Sequence, residues 1–253
     1  DWDVKIYRGV LTGLNEAFII DTATKEKLCK EDPKSAEIIK PILRGRDIKR
    51  YSYEWAGLWL IATFPVLNIN IEKYSAIKKH LLSYGKEKLE QSGTQLPDGS
   101  VSRKKTGNKW FETQDQIGYF REFEKEKVIY PETTQGANFF LDIEGKYYIE
   151  KTGFFLSSKE ISLRYLTGLF CSSFFTYIYK KYYSGVELGA VGYQYNKHAL
   201  EKTPLPIPTR TNKNILSEIE SLVDLVLKKK EKKQNTMAEE KQIDQLVYKL
   251  YDL

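Results

Sequence analysis

Three prolines within five residues, Pro204-Leu-Pro-Ile-Pro208, divide this chain into two regimes. Proline fixes φ and lacks a backbone donor, so neither a helix interior nor a central strand runs through such a segment. On its N-terminal side the apolar residues come in short β-rich runs at 17–21, 58–64, 127–130, 139–142, 147–149 and 154–156, which predict strands. Among them Ile71, Tyr74, Ile77 and Leu81 recur at helical spacing, and a longer apolar segment, Ile161 to Tyr179, predicts a second helical stretch. Beyond the prolines, Ile215, Ile219, Leu222, Val223 and Val226 share one helical face, as do Ile243, Leu246, Val247, Leu250 and Tyr251. The expected architecture is α+β: a mixed β-sheet domain with flanking helices over residues 1–210, then an appendage of two amphipathic helices over residues 211–253. The intervening Lys228-Lys-Lys-Glu-Lys-Lys233 is expected to be a solvated helix end, favoured there by the helix dipole.

The chain has 253 residues, 41% hydrophobic and 29% charged, enough for a substantial core. With 40 Lys and Arg against 34 Asp and Glu, the net charge is +6 and the pI near 8.9, which favours an anionic partner and excludes a highly basic histone-like protein. Cys29 and Cys171 are the two cysteines, too few for a disulfide framework or a zinc site, and they point to a reducing, cytoplasmic setting. No apolar run approaches the roughly 20 residues that span a bilayer, and no signal pattern opens the sequence, so no membrane partner is expected. The one methionine is Met237, so Asp1 is expected to follow a cut and the chain to be a piece of a longer polypeptide.

Motifs for chemistry are sparse. The sequence has no GxxxxGK[ST], GxGxxG or HExxH string, and its imidazoles are His80 and His198. His80 lies off the apolar stripe of its helix, where an exposed or capping role is expected. Glu132, Glu144 and Lys146 imitate the paired acids and lysine of a Mg²⁺-dependent nuclease. Asp142-Ile-Glu-Gly-Lys146, however, lies between two strand-like runs, where Glu-Gly suits a tight turn, and the turn reading is preferred. No catalytic or metal-binding residue is assigned.

Two irregular segments carry the residue types that meet nucleic acid. The first, residues 91–109, combines Gly93, Pro97, Gly99 and Gly107 with Arg103, Lys104, Lys105 and Lys109, the composition of a mobile basic loop. The second runs from a Tyr- and Lys-rich stretch around Lys181 into Gly185-Val-Glu-Leu-Gly-Ala-Val-Gly-Tyr-Gln-Tyr-Asn-Lys197, where aromatic faces, amides and cations suit base edges and phosphates. Ordinary structural readings stand beside these: 18 tyrosines cannot all be functional, and Gly185, Gly189 and Gly192 are expected to be backbone necessities.

In order along the chain stand Tyr7-Arg-Gly-Val-Leu-Thr-Gly-Leu-Asn-Glu-Ala-Phe-Ile-Ile-Asp21, Ile39-Lys-Pro-Ile-Leu-Arg-Gly-Arg-Asp-Ile-Lys-Arg-Tyr51, Trp110-Phe-Glu through Val128-Ile-Tyr-Pro-Glu132, and Leu205-Pro-Ile-Pro208. This series resembles the TaqI-like C-terminal specificity domains, the target-recognition regions of type IIG restriction-modification enzymes and related adenine methyltransferases. Ile243-Asp-Gln-Leu-Val-Tyr-Lys-Leu-Tyr251 is also similar to the end of such enzymes. The catalytic Asn-Pro-Pro-Tyr motif and a glycine-rich S-adenosylmethionine pocket do not occur here, so the resemblance implies a recognition module without catalysis or cofactor of its own. Its implied partners are double-stranded DNA and an upstream methyltransferase domain of the same polypeptide. S-adenosylmethionine, with Mg²⁺ where the parent also cleaves, belongs to the parent enzyme.

Within that frame, Arg103 suits guanine, Gln194 and Asn196 suit adenine, and Tyr193 and Tyr195 suit packing on base or sugar. Arg44, Arg46, Lys49, Arg50, Lys104, Lys105, Lys109, Lys181 and Lys197 are the phosphate candidates. Leu43-Arg-Gly-Arg-Asp-Ile48 reads equally as a structural turn in which Asp47 pairs an arginine. Two alternatives stand beside this reading: half of a type I restriction specificity subunit, with the closing helices as a spacer, and the nuclease above.

Overall fold

The computed structural model describes residues 3–184 and 192–253, which group into two compact units. Residues up to 9, 44–54 and 122 onward form the first, and residues 10–43 and 55–121 the second. The chain starts in the first unit with β1 (Val4–Arg8). It then enters the second for α1 (Asn15–Phe18), β2 (Ile19–Asp21), α2 (Thr22–Glu31) and β3 (Ile39–Leu43). It returns for β4 (Ile48–Lys49) and β5 (Ser52–Tyr53), and goes back for β6 (Leu58–Ile61), α3 (Ser75–Leu82) and α4 (Lys86–Leu89). The rest lies in the first unit: β7 (Lys127–Pro131), β8 (Thr133–Thr134), β9 (Phe140–Asp142), β10 (Tyr148–Ile149) and β11 (Gly153–Ser158). There follow α5 (Leu163–Cys171), α6 (Ser173–Ile178), β12 (Tyr193–Gln194), α7 (Lys197–Lys202), α8 (Lys213–Glu231) and α9 (Met237–Leu250). The expected α+β fold is what forms.

In the first unit, β1, β11, β7 and β9 make an antiparallel sheet in that order. Val128, Tyr130, Leu141, Phe154 and Leu156 from its strands join Leu166, Leu169 and Phe170 of α5 in one buried core. Gly168 of α5 lies so close to Ile219 that an added Cβ would stand 2.6 Å from its Cγ2. The two closing helices, expected as an appendage, contribute Leu216, Ile219, Val223, Ile243 and Val247 to this same core. The packing therefore groups them with the β-sheet upstream of the prolines rather than setting them apart at residue 210. The proline segment itself is tied down, since the Tyr165 hydroxyl donates to the Pro206 carbonyl at 2.7 Å and the Tyr251 hydroxyl to that of Pro204 at 3.2 Å.

The second unit pairs β6 antiparallel with β2 on one side and β3 on the other, and packs Phe18, Ile20, Ile39, Ile61, Ile77, Leu81 and Leu89 together. Here the sequence expectations shift in detail. Ala17 and Phe18, expected in a strand, close the short turn of α1 before β2 begins. The helix expected from Ile71 begins at Ser75, because Asn70 caps a separate 3-10 turn over Ile71–Lys73. In the first unit the apolar segment 161–179 breaks at Ser172, whose backbone is extended and whose hydroxyl accepts from Phe175 N at 3.1 Å to start α6. His80 is half-buried, with Nε2 3.1 Å from the Ala17 carbonyl, and burial lowers its pKa below the usual 6.5.

Lys127 and Asp142 face each other across β7 and β9, both buried, with Nζ and Oδ2 2.6 Å apart. The ammonium also donates to the Phe123 carbonyl at 2.6 Å, and burial pulls its pKa below the usual lysine value although Asp142 pulls it back up. Asp142 accepts in addition from Lys146 N at 3.1 Å and Tyr147 N at 2.9 Å, closing the turn that Gly145 completes at φ +64°. A side chain at residue 145 would meet the Glu124 carbonyl at 2.4 Å. Glu144 and Lys146 thus sit exposed on a turn. Asp142→Ala strands a buried ammonium and should cost about 3–5 kcal/mol in urea unfolding. For His80, the unfolded chain binds its proton first as pH falls through 6.5, so its stability contribution is present above 6.5 and is lost below it. His80→Gln should flatten the decline in unfolding free energy between neutral pH and about pH 5.

Candidate nucleic-acid interface

The basic segment 91–109 is a hairpin with a buried foundation. Gly93 N donates to the Arg103 carbonyl, Ser102 N to that of Thr94 and Leu96 N to that of Ser100, and Gln95 bridges Val101. Arg103, expected to read guanine, is 4% exposed. Its Nε and one terminal nitrogen both donate to the Leu89 carbonyl, and the remaining donors go to Thr12, Glu112 and Trp110 carbonyls at 2.6–2.8 Å. All five guanidinium donors are consumed, leaving none for a base edge. Burial lowers its pKa to about 10, so the group remains charged at neutral pH and binds the carbonyl dipoles as a cation. Gln91 completes the foundation, donating to the carbonyls of Lys109 and Glu112 and accepting from the Thr106 hydroxyl. Lys104, Lys105 and Lys109 are exposed above it, Lys109 with Nζ 3.1 Å from Asn68 Oδ1.

The turn Arg44–Asp47 lies in the first unit. Arg44 is bidentate to Asp47 at 3.0 and 2.8 Å, which raises its pKa, and Asp47 also accepts from Arg44 N, so the pair defines the turn. Arg50 Nε is 2.7 Å from Glu240 of α9. Lys49 donates to the Arg46 carbonyl at 3.0 Å and lies 3.5 Å from Glu54, whereas Arg46 is exposed. Of the four cations in this cluster, Arg44, Lys49 and Arg50 are already paired with carboxylates.

The second recognition segment divides. Residues 185–191, including Gly185 and Gly189, lie outside the described residues. Gly192 has φ +113°, and a Cβ there would stand 2.1 Å from the Thr134 carbonyl oxygen, so the approach of β12 to β8 requires glycine. Tyr193 and Tyr195, expected to pack on bases, are 3% and 0% exposed, their hydroxyls 3.1 Å apart. They are buried among Phe139, Phe175 and Tyr179, and burial raises both phenol pKa values. Gln194 alternates with them on the opposite face of the strand and is half-buried. Asn196 caps α7, accepting from Ala199 N at 2.8 Å. Lys197 and Lys181 are exposed, Lys197 3.7 Å from Glu201. Two aromatics not singled out by the sequence, Tyr177 and Tyr182, are exposed beside Lys181. Their signal was the run of Tyr and Lys after an apolar helix.

The hairpin segment presents Lys104, Lys105 and Lys109 to solvent, the arginine turn Arg46, the turn after α6 Lys181 and the start of α7 Lys197. Among the described residues, no three His, Cys, Asp or Glu side chains come together as metal ligands. Among the described residues, no helix is long and apolar enough to cross a membrane.

An α+β chain displaying cations on surface hairpins and turns has the make-up of a nucleic-acid-binding module. The chain belongs to the TaqI-like C-terminal specificity domain family, whose model matches residues 40–205. Its fold is similar to part of the type IIL restriction-modification enzyme MmeI solved in complex with DNA, with a TM-score of 0.62 at 11% identity, covering 98% of this chain and 32% of that one. It is also similar to part of the type IIG restriction endonuclease BpuSI, with a TM-score of 0.52 at 14% identity, covering 98% of this chain and 30% of that one. At these identities the likeness is one of fold, and the chain spans about a third of the length of either structure. No curated protein matches its sequence.

Arg103→Ala would remove the guanidinium from the carbonyls of Thr12, Leu89 and Trp110 at roughly 1–3 kcal/mol each, while that of Glu112 keeps its bond from Gln91. The variant should lose most of the second unit's resistance to proteolysis, and Arg103→Lys, which cannot fork, should not restore it.

Proposed function

We propose that this chain is the double-stranded DNA recognition domain of a type II restriction-modification enzyme. The methyltransferase acting on adenine would lie upstream in the same polypeptide and supply the S-adenosylmethionine site, with Mg²⁺ needed only for any cleavage. The observation that carries this reading is membership of the specificity-domain family over residues 40–205. Exposed cations on separate surface turns, including Arg46, Lys104 and Lys105, support it. Flexible exposed ammonium groups attract phosphates without discriminating between bases, so they would set register and affinity. Base selection would fall to Gln194 and to chain between Ser184 and Gly192.

The reading is tested by titrating the full chain against duplex DNA over a range of salt. Binding should weaken steeply with salt, and Lys104→Ala and Lys105→Ala should each reduce the slope of log K against log salt by about 0.9 for a phosphate contact, without changing preference among sequences. Gln194→Ala should instead narrow the gap between the preferred site and random duplex. Salt-independent association, or none, would overturn the proposal. An Asn-Pro-Pro-Tyr motif encoded upstream would support the methyltransferase half.

A further inference from the structure

Tyr177 and Tyr182 are the most exposed aromatic side chains among the described residues, at 57% and 63%. Neither ring is held in the core, yet both are held to one cation. Lys181 Nζ donates to the Tyr177 hydroxyl at 3.1 Å and lies 5.4 and 5.3 Å from the centroids of the Tyr177 and Tyr182 rings. The backbone makes this possible. Residues Tyr179–Tyr183 form a π-turn, closed at Ser184 N, which donates to the Tyr179 carbonyl at 2.8 Å. An α-turn would place residues five apart on different faces, whereas the wider turn swings Tyr182 toward the side that carries Tyr177 and Lys181.

The hydrogen-bond inventory of this group is directional. An ammonium has three donors, and one of them goes to the Tyr177 oxygen. A phenol that accepts from an ammonium keeps its own O–H to donate. The remaining Nζ–H donors and the Oη–H groups of Tyr177 and Tyr182 therefore surround a single positive charge and are available to a ligand with several acceptor oxygens. From Ser172 to Ser184 the sequence contains no carboxylate, and Lys180 adds a second cation, with Nζ 4.5 Å over the Tyr193 ring. Donor count and charge match a phosphodiester, and among base edges only guanine, with its O6 and N7, offers a comparable pair of acceptors.

We propose that Tyr177, Lys181 and Tyr182 form a preorganised clamp for one backbone phosphate of the bound duplex, an assignment that rests on the DNA-recognition reading above. The clamp is sequence-independent, and the rings that steady the ammonium also present an apolar edge to the adjoining deoxyribose. The two hydroxyls distinguish it from an ordinary surface lysine.

The test uses the full chain and a random-sequence duplex, with anisotropy followed over a range of salt. Lys181→Ala should reduce the salt slope by about 0.9. Tyr177→Phe and Tyr182→Phe keep ring and charge and remove one donor each, so each should weaken binding roughly three- to tenfold while leaving the salt slope unchanged. These side chains are exposed, so melting temperatures should stay at the wild-type value and separate loss of contact from loss of fold. If both Phe variants bind like the wild type while Lys104→Ala and Lys105→Ala still flatten the slope, the clamp is overturned and the DNA-recognition reading stands. If the wild-type chain shows no salt-dependent duplex binding, both are overturned.

Discussion

A single ion pair without access to water organises the first unit. Lys127 and Asp142 occupy facing positions of β7 and β9, with Nζ and Oδ2 2.6 Å apart. Two charges in such a place are stable only when each is also hydrogen-bonded, because desolvation costs each ion several kcal/mol. The Phe123 carbonyl and the amides of Lys146 and Tyr147 provide those bonds. A slip of one residue would point the lysine and the aspartate to opposite faces and leave both unpaired, so the pair fixes the register of the sheet. Its aspartate also fixes the turn leading to Tyr147 and Tyr148, whose rings are buried. The sheet in turn supports α5, and α5 supports the two closing helices.

The parts of this fold legible in the sequence are those governed by local periodicity. The stripes at Ile215–Val226 and Ile243–Tyr251 became α8 and α9, and the apolar runs at 127–130, 139–142 and 154–156 became β7, β9 and β11. What escaped depends on contacts between residues distant in sequence. The strand β3 contains Pro41, which lowers any strand expectation, and it exists because β6 pairs with it. Conversely, Ser172 interrupts an apolar run that reads as one helix, since a serine hydroxyl serves equally inside a helix or at its start.

The candidate site shows the same division. Residue types identified the segments, and burial decided which side chains could act. Arg103 and Lys104 are neighbours with the same charge, and only the carbonyls of Thr12, Leu89, Trp110 and Glu112 make one a foundation and leave the other in solvent. Tyr193 and Tyr195 carry the side chain expected of a stacking platform, but strand alternation turns both inward. Asn196 did have a local signal, an amide followed by the start of a helix, which favours a cap over a base contact. Lys181 and its two tyrosines needed the π-turn, which no composition announces.

The hairpin over residues 93–103 has its anchor at its base and its positive charge outside it. Because Arg103 and Gln91 bind main-chain carbonyls, the fixation does not depend on which side chains occupy the tip between Thr94 and Ser102. Loop closure grows only slowly costlier with length, so the tip is free to lengthen, shorten or change composition above an unchanged root. Diversification can thus proceed at this position one substitution at a time, each intermediate still folded.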